Sequence, residues 1–330
     1  MLRWPQCLGD FVDVRAAAWF ARATSHWSRW RPDDLVAAKG DCRVSVVIPA
    51  RDEQETIAGI VTGIREELVE RRALVDELVV MDSDSTDDTA RIAADHGAVV
   101  HATGDVRPDL GSFAGKGEAL WKSLFVTTGH VLVYVDADLT EWGPHFVSGL
   151  LGPLLSEPQV VLVKGFYDRV LDDGSDAHTP QGGRVTELVA RPLLNLGWPE
   201  LAAVVQPLAG EWAVRRSVME QLRVPVGYGI EMATLLDVWG TAGLEGLAQV
   251  DLGERAHSHQ SVHDLGVMAA EILHTVARRA GVAAPDADEA ELLQFVRGVG
   301  SSWRSRRVPL TERPPAADIA GYLDGKGAPC

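Results

Sequence analysis

The 330-residue sequence predicts an α/β fold, a mostly parallel central sheet flanked by helices with a helical C-terminal extension. Three observations carry that expectation. Short β-branched runs recur, as in Val44-Ser45-Val46-Val47-Ile48, Leu78-Val79-Val80-Met81 and Val131-Leu132-Val133-Tyr134-Val135. Between them apolar residues return at helical spacing, as in Ile57, Ile60, Val61, Ile64 and Leu68. Several runs end in acidic or amide-rich residues, and ligands of such sheets sit beyond the carboxyl ends of the strands.

Residues 1–43 carry Trp19, Trp27 and Trp30 among arginines and alanines, which reads as an irregular or helical arm packed on the main body or on a partner subunit. Regularity begins at Val44. The first strand stops on Pro49, whose fixed φ sets the direction of the chain leaving the sheet. A helix, the strand at 78–81, a polar turn and a helix near 86–96 follow. A third strand starts at Val99, and Leu120 and Leu124 mark another helix. Strands at 131–135 and 160–163 complete the α/β region, 44–165. Residues 168–183 are rich in Gly, Asp and Pro and read as a surface loop. Helices are expected at 183–196, 230–239 and 262–280, with a strand at 247–252. The tail from Pro309 reads as a weakly ordered extension.

The composition is globular, 46% hydrophobic and 24% charged. A net charge of −16 argues against non-specific nucleic-acid binding. It also requires any phosphate site to be locally basic, or built from metal and backbone amides. The three cysteines, Cys7, Cys42 and Cys330, lack metal-ligand spacing, which predicts a reducing cytoplasm and no disulfide framework. The first residues do not read as a signal peptide, and no stretch is long enough to span a bilayer.

Chemistry concentrates where the strands end. Asp136 and Asp138 follow the run 131–135. Residues two apart on a strand point the same way, so both carboxylates are expected on one side. Two hard oxygen donors suit Mg2+ or Mn2+, which keep waters and share a substrate's phosphate oxygens. After the first strand, Glu53 is expected to face the ligand crevice, while Asp52 is equally suited to capping the next helix. After the second strand, Asp82 and Ser83 are ligand candidates, and residues 85–88 read as helix caps.

Gly115-Lys116-Gly117 precedes a helix and offers close backbone approach with a point charge for phosphate. It lacks P-loop spacing, and no dinucleotide fingerprint follows the first strand. Gly182-Gly183-Arg184-Val185-Thr186 opens a helix, where free amides, a guanidinium fork and a hydroxyl suit a small acidic acceptor. Glu231 begins another helix after Gly229. An imidazole from His257 (with His259 on the same face) is placed to complete the coordination begun by Asp136 and Asp138.

Taken together, these stretches resemble the glucosyl-3-phosphoglycerate synthase family, actinobacterial-type retaining glycosyltransferases with the GT-A type nucleotide-diphospho-sugar transferase fold. The resemblance rests on residues 46–50, 76–80, Gly115-Lys116-Gly117-Glu118-Ala119-Leu120-Trp121, 135–139, Arg255-Ala256-His257 and above all the block Gly182-Gly183-Arg184-Val185-Thr186-Glu187-Leu188-Val189-Ala190-Arg191-Pro192-Leu193-Leu194. It implies UDP-glucose as donor, the 2-hydroxyl of 3-phosphoglycerate as acceptor, Mg2+ (or Mn2+) as cofactor and a homodimer. By position it implies that Asp136, Asp138 and His257 hold the metal. Pro49, Ala50, Glu53, Ser83, Lys116, Asp136 and Ala137 would line the nucleotide-sugar site, and Gly183, Arg184, Thr186 and Glu231 the acceptor and sugar. Asp138, Glu231, Lys116 and Arg184 would carry catalysis. Residues 44–165 would then bind the nucleotide sugar, 166–261 the acceptor, and 262–330 would form a C-terminal helix and tail.

Three positions depart from the family pattern: Trp212 after Glu211, the surroundings of Glu231, and Ser258 after the metal histidine. The alternatives are a mannosyl-3-phosphoglycerate synthase using a GDP-sugar, and an inverting transferase with Glu231 as general base. A nucleotidylyltransferase needs a Gly- and Lys-rich first loop that Pro49-Ala50-Arg51-Asp52 does not provide. A non-catalytic nucleotide-sugar sensor would not need the second anion site at Arg184.

Overall fold

The computed structural model describes residues 13–170, 183–256, 261–282, 287–297 and 302–322. The chain enters through α1 (Val14–Ala23), capped by Asp13, then β1 (Thr24–His26) and α2 (Pro32–Lys39). Next come β2 (Val44–Ala50), α3 (Ile57–Ile64), β3 (Glu77–Asp82), α4 (Thr89–Asp95), β4 (Val99–Ala102), α5 (Lys116–Val126) and β5 (Val131–Tyr134). The second half adds α6 (His145–Ser156), β6 (Leu162–Val170), α7 (Arg191–Gly197), β7 (Trp212–Arg215) and the single turn α8 (Arg216–Met219). It ends with β8 (Val224–Pro225), α9 (Ile230–Ala242), β9 (Leu247–Ala256), α10 (Val262–Arg279), β10 (Glu289–Val296), β11 (Ser302–Pro309) and β12 (Glu312–Arg313).

Eight strands form one sheet in the order β1-β9-β6-β7-β5-β2-β3-β4. All neighbours run parallel except β7, which is antiparallel to both β5 and β6. Both faces are covered, so the central strands are apolar almost throughout. Alternation assigns each residue to a layer. Val44, Val46 and Ile48 of β2 and Val131 and Val133 of β5 pack with α3 and α6. Val47, Leu132 and Tyr134 face the opposite core, with α5, α9 and Ile272 of α10. The parallel register places the ends of β2, β3 and β5 side by side, and that edge carries the candidate site.

The N-terminal arm does more than pack on the body. Ser25 pairs with Val250, so β1 extends the sheet at its edge, and Trp19 anchors α1 by donating to Leu247 O at 2.9 Å. The C-terminal part is not all helical. After α10 an antiparallel hairpin forms from β10 and β11. Nor is the tail loose up to residue 322. β12 pairs with β8, Arg313 grips the buried Glu118 at 2.6 and 2.7 Å, and Trp121 donates to Pro314 O at 2.8 Å. Cys42 is disulfide-bonded, against the expectation of free thiols, and the other two cysteines lie outside the described residues. Among the described residues no helix is long and apolar enough to cross a membrane.

Candidate active site

A cavity of about 670 Å³ opens along the carboxyl ends of the central strands. Pro49, Glu53, Ser83, Lys116, Asp136, Asp138, Arg184 and Glu231 all line it, whereas the ligand candidate Asp82 does not. His257, and His259 with it, lies outside the described residues.

One end is built by the loops after β2 and β3, which are laced together. Asp52 adopts φ 57°, and its carboxylate accepts from the Thr86 amide at 2.7 Å, while its own amide donates to Ser85 Oγ at 3.0 Å. Glu53 N donates to Thr89 Oγ1 at 2.7 Å. Asp52 therefore braces the neighbouring loop rather than capping α3, whose N-cap is Thr56. The bracing leaves the Glu53 and Ser83 side chains on the cavity wall. Asp82 does not reach it. Its carboxylate is buried and accepts from Ser85 N at 3.3 Å, so this sequence candidate is a turn-former. Burial, with Asp138 and Asp136 nearby, pushes the Glu53 carboxyl up to about 7.

The centre is the segment Asp136-Ala137-Asp138, held by Thr56 Oγ1 donating to Ala137 O at 2.6 Å. Both carboxylates turn to the same side. Arg255 Nη2 lies 2.7 Å from Asp138 Oδ1 and 3.4 Å from Asp136 Oδ2. Lys116 Nζ takes the other oxygen of Asp136 at 2.6 Å. Gly210 makes room for this arrangement: a Cβ there would stand 2.2 Å from Asp136 Oδ2.

Two carboxylates that converge on one positive group are a fitting donor pair for Mg2+ or Mn2+, which complete their shell with water and phosphate oxygens. Among the described residues no cluster of three or more His, Cys, Asp or Glu side chains adds a further ligand. The expected third, His257, begins two residues beyond Arg255, just outside the described part of the chain.

Arg255 is itself seated in a buried network. Its Nη1 donates to Tyr167 Oη at 2.5 Å and lies 3.0 Å from Glu211 Oε1. Burial alone works against its charge. Glu211, Tyr167 and the two aspartates outweigh that and hold it well above the usual arginine range. Burial pushes the Glu211 carboxyl up, and Arg255 opposes the shift. Lys164, also buried, donates to Ala209 O at 2.7 Å and is lowered to about 8, chiefly by burial.

The far end joins two helix starts. Lys116 opens α5 and lies 2.8 Å from Glu231 Oε1 at the start of α9. Burial opposes the lysine charge, but Asp136 and Glu231 hold it well above its ordinary value. Gly115 sits at φ 142°, and a Cβ on Gly117 would fall 1.8 Å from Pro225 O, so neither position accepts a side chain. Gly183, Arg184 and Thr186 also line the cavity, with Leu265, Met268 and Ile272 of α10 as an apolar wall. Sequence reasoning missed Glu211, Lys164 and Tyr167. It included Arg255 only as a neighbour of His257, yet Arg255 joins both acidic groups.

Residues 45–221 match the family described as glycosyl transferase family 2. A glucosyl-3-phosphoglycerate synthase of Mycolicibacterium smegmatis is 43% identical over 299 residues, covering 90% of this chain and 97% of its own. One from Petrotoga mobilis is 45% identical over 241 residues, 73% of this chain and 74% of its own. Among solved structures, the Mycobacterium tuberculosis glucosyl-3-phosphoglycerate synthase in complex with Mn2+, uridine diphosphate and phosphoglyceric acid superposes with a TM-score of 0.80. It is 40% identical, and the match covers 90% of this chain and 98% of that one. The same enzyme with Mn2+ and UDP-glucose matches with a TM-score of 0.78 at 41% identity, over 87% of this chain and 95% of that one.

Proposed function

The chain belongs to the glucosyl-3-phosphoglycerate synthases within glycosyl transferase family 2, and from that premise we propose that it moves glucose from UDP-glucose to the 2-hydroxyl of 3-phosphoglycerate with retention of anomeric configuration. The observation that carries this reading is a single cavity lined by Asp136 and Asp138 at one place and by Arg184 and Thr186 at another. A donor's diphosphate and a small phosphorylated acid therefore share one enclosure.

Glu53 and Ser83 hold the nucleoside end of the donor between the braced loops. Asp136 and Asp138, with His257 as the expected third ligand, would hold Mg2+ or Mn2+, an ion found with uridine diphosphate in the related structures. When bound, that ion supplies Lewis-acid neutralisation of charge on the diphosphate. Lys116 stands between Asp136 and Glu231, so its charge lies where diphosphate and sugar meet. Arg184 and the amides at Gly183 and Thr186 bind the acceptor's phosphate or carboxylate.

The way the groups are engaged supports the retaining reading. Glu231 is buried and ion-paired to Lys116, which ill suits it to act as nucleophile or general base. The acceptor hydroxyl then attacks on the face from which the diphosphate departs, and a departing phosphate oxygen takes its proton. The protein contributes positioning and fixed charge, each worth several kcal/mol. The apolar wall of Leu265, Met268 and Ile272 limits water, the competing acceptor.

A panel of UDP-, GDP- and ADP-sugars with 3-phosphoglycerate, with and without chelator, tests the assignment. UDP-glucose should turn over fastest and chelator should stop it. Preference for a GDP-sugar would move the chain to the mannosyl alternative. We place the reaction in the cytoplasm. We also propose a homodimer, in keeping with the exposed Leu293, Phe295 and Trp303 on the β10–β11 hairpin. Sedimentation of the full chain checks it.

A further inference from the structure

We propose that Glu271, on α10, is a positioning residue that fixes the turn from Val226 to Gly229 and through it the Lys116–Glu231 pair. The inference rests on the transfer reaction proposed above, but its first readout does not.

Glu271 is buried, and its Oε2 accepts from Tyr228 N at 2.5 Å. One helical turn later Thr275, also buried, faces the same segment. Both glycines of the turn are shaped to these side chains. A Cβ on Gly227 would stand 2.0 Å from Glu271 Oε2, and one on Gly229 would stand 2.2 Å from Thr275 Oγ1. α9 begins at this turn with Gly229 as N-cap and no side-chain cap of its own. The Glu271 carboxylate, from another helix, holds the amide of the residue just before that N-cap, near the end where the helix dipole favours negative charge.

The turn governs both partners of the ion pair. Glu231 is the second residue of α9. On the other side, the start of α5 leans on the same backbone, since Glu118 N donates to Val226 O at 2.9 Å and Gly117 packs against Pro225 O. If the turn relaxed, Lys116 and Glu231 would move together, while Glu53 and Ser83 are held by separate loops. Loss of Glu271 should therefore slow turnover without loosening the nucleotide.

The first measurement is amide hydrogen exchange at Tyr228 in the full chain. Exchange should be slow in the wild type and in Glu271→Gln, whose side-chain oxygen still accepts, and faster in Glu271→Ala. In the transfer assay Glu271→Ala should lower kcat about tenfold, with KM for UDP-glucose within about twofold, and Glu271→Gln should restore kcat. A second pair guards against a variant that fails to fold. Gly229→Ala should impair kcat, and adding Thr275→Ala should recover it by removing the blocking hydroxyl. Unchanged exchange and kcat in Glu271→Ala, or no recovery in the double variant, would overturn the proposal. If the wild type transfers no glucose but the exchange pattern holds, the function assignment fails and the positioning role stands.

Discussion

Arg255 Nη2 lies 2.7 Å from Asp138 Oδ1, and the same nitrogen reaches Asp136 Oδ2 at 3.4 Å. One guanidinium therefore sets the spacing and tilt of both acidic groups before any ligand arrives. It can do so because Glu211 and Tyr167 fix it from below. Pre-set geometry of this kind spares the reorganisation that would otherwise oppose charge stabilisation.

Glu211→Ala should be among the most damaging single substitutions outside the cavity wall. Removing one partner of a buried ion pair typically costs about 3–5 kcal/mol, because the other charge is left uncompensated. Urea unfolding should show a loss of that order. A loss below about 1 kcal/mol would mean that Arg255 is held by other groups.

Gly210→Ala should weaken cation binding, because the new methyl meets the Asp136 carboxylate. Titration of Mn2+ into the UDP-loaded protein, followed by electron paramagnetic resonance, should show affinity at least tenfold lower. The unfolding midpoint should move little. Unchanged affinity would separate Asp136 from the ion.

Arg184→Ala should raise KM for 3-phosphoglycerate strongly and leave UDP affinity nearly intact. A charge-assisted contact to a phosphate or carboxylate is worth roughly 1.5–3 kcal/mol, which corresponds to about 10- to 150-fold in KM. Equal losses for both substrates would refute the acceptor cradle.

Glu271 gives a pH dependence with a definite sign. Burial, together with Glu231, pushes its carboxyl up to about 7, and the Tyr228 amide opposes the shift. The folded state therefore binds a proton more tightly than the unfolded chain between about 4.5 and 7. That contribution to stability is full below the unfolded value and is lost as pH rises through 7. Tyr228, Glu231 and, beyond it, Lys116 are the ionisable groups that face it. Glu271→Gln cannot titrate, so its midpoint relative to wild type should rise between pH 5 and pH 8, by up to roughly 3 kcal/mol in stability. A constant difference across that range would mean that Glu271 stays ionised throughout.

The sequence made the strands that carry the site legible for a physical reason. β2, β3 and β5 are buried on both faces and so read as short, mostly apolar runs whose ends are plain. The polar residues just past those ends then located most of the cavity. β1 was illegible because Thr24, Ser25 and His26 pair along one side only and owe their conformation to β9 rather than to their own propensity. The hairpin escaped because its outward face mixes Glu289 and Glu291 with Leu293 and Phe295, and its second strand is crowded with arginine. Glu211 and Arg255 stand 44 positions apart, and no local pattern reveals that two such charges are buried together. Asp82 misled for the opposite reason: an acid at a strand end suits both a ligand and a turn, and here the turn won.

If donor and acceptor meet in one cavity and react on one face of the sugar, the product keeps the donor's anomeric configuration. Proton NMR of the product formed from UDP-glucose and 3-phosphoglycerate by the full chain with Mg2+ tests it most directly. The product should carry an α-linked glucosyl group on the 2-oxygen of the phosphoglycerate. A β-linked product, or transfer of glucose only to water, would contradict it.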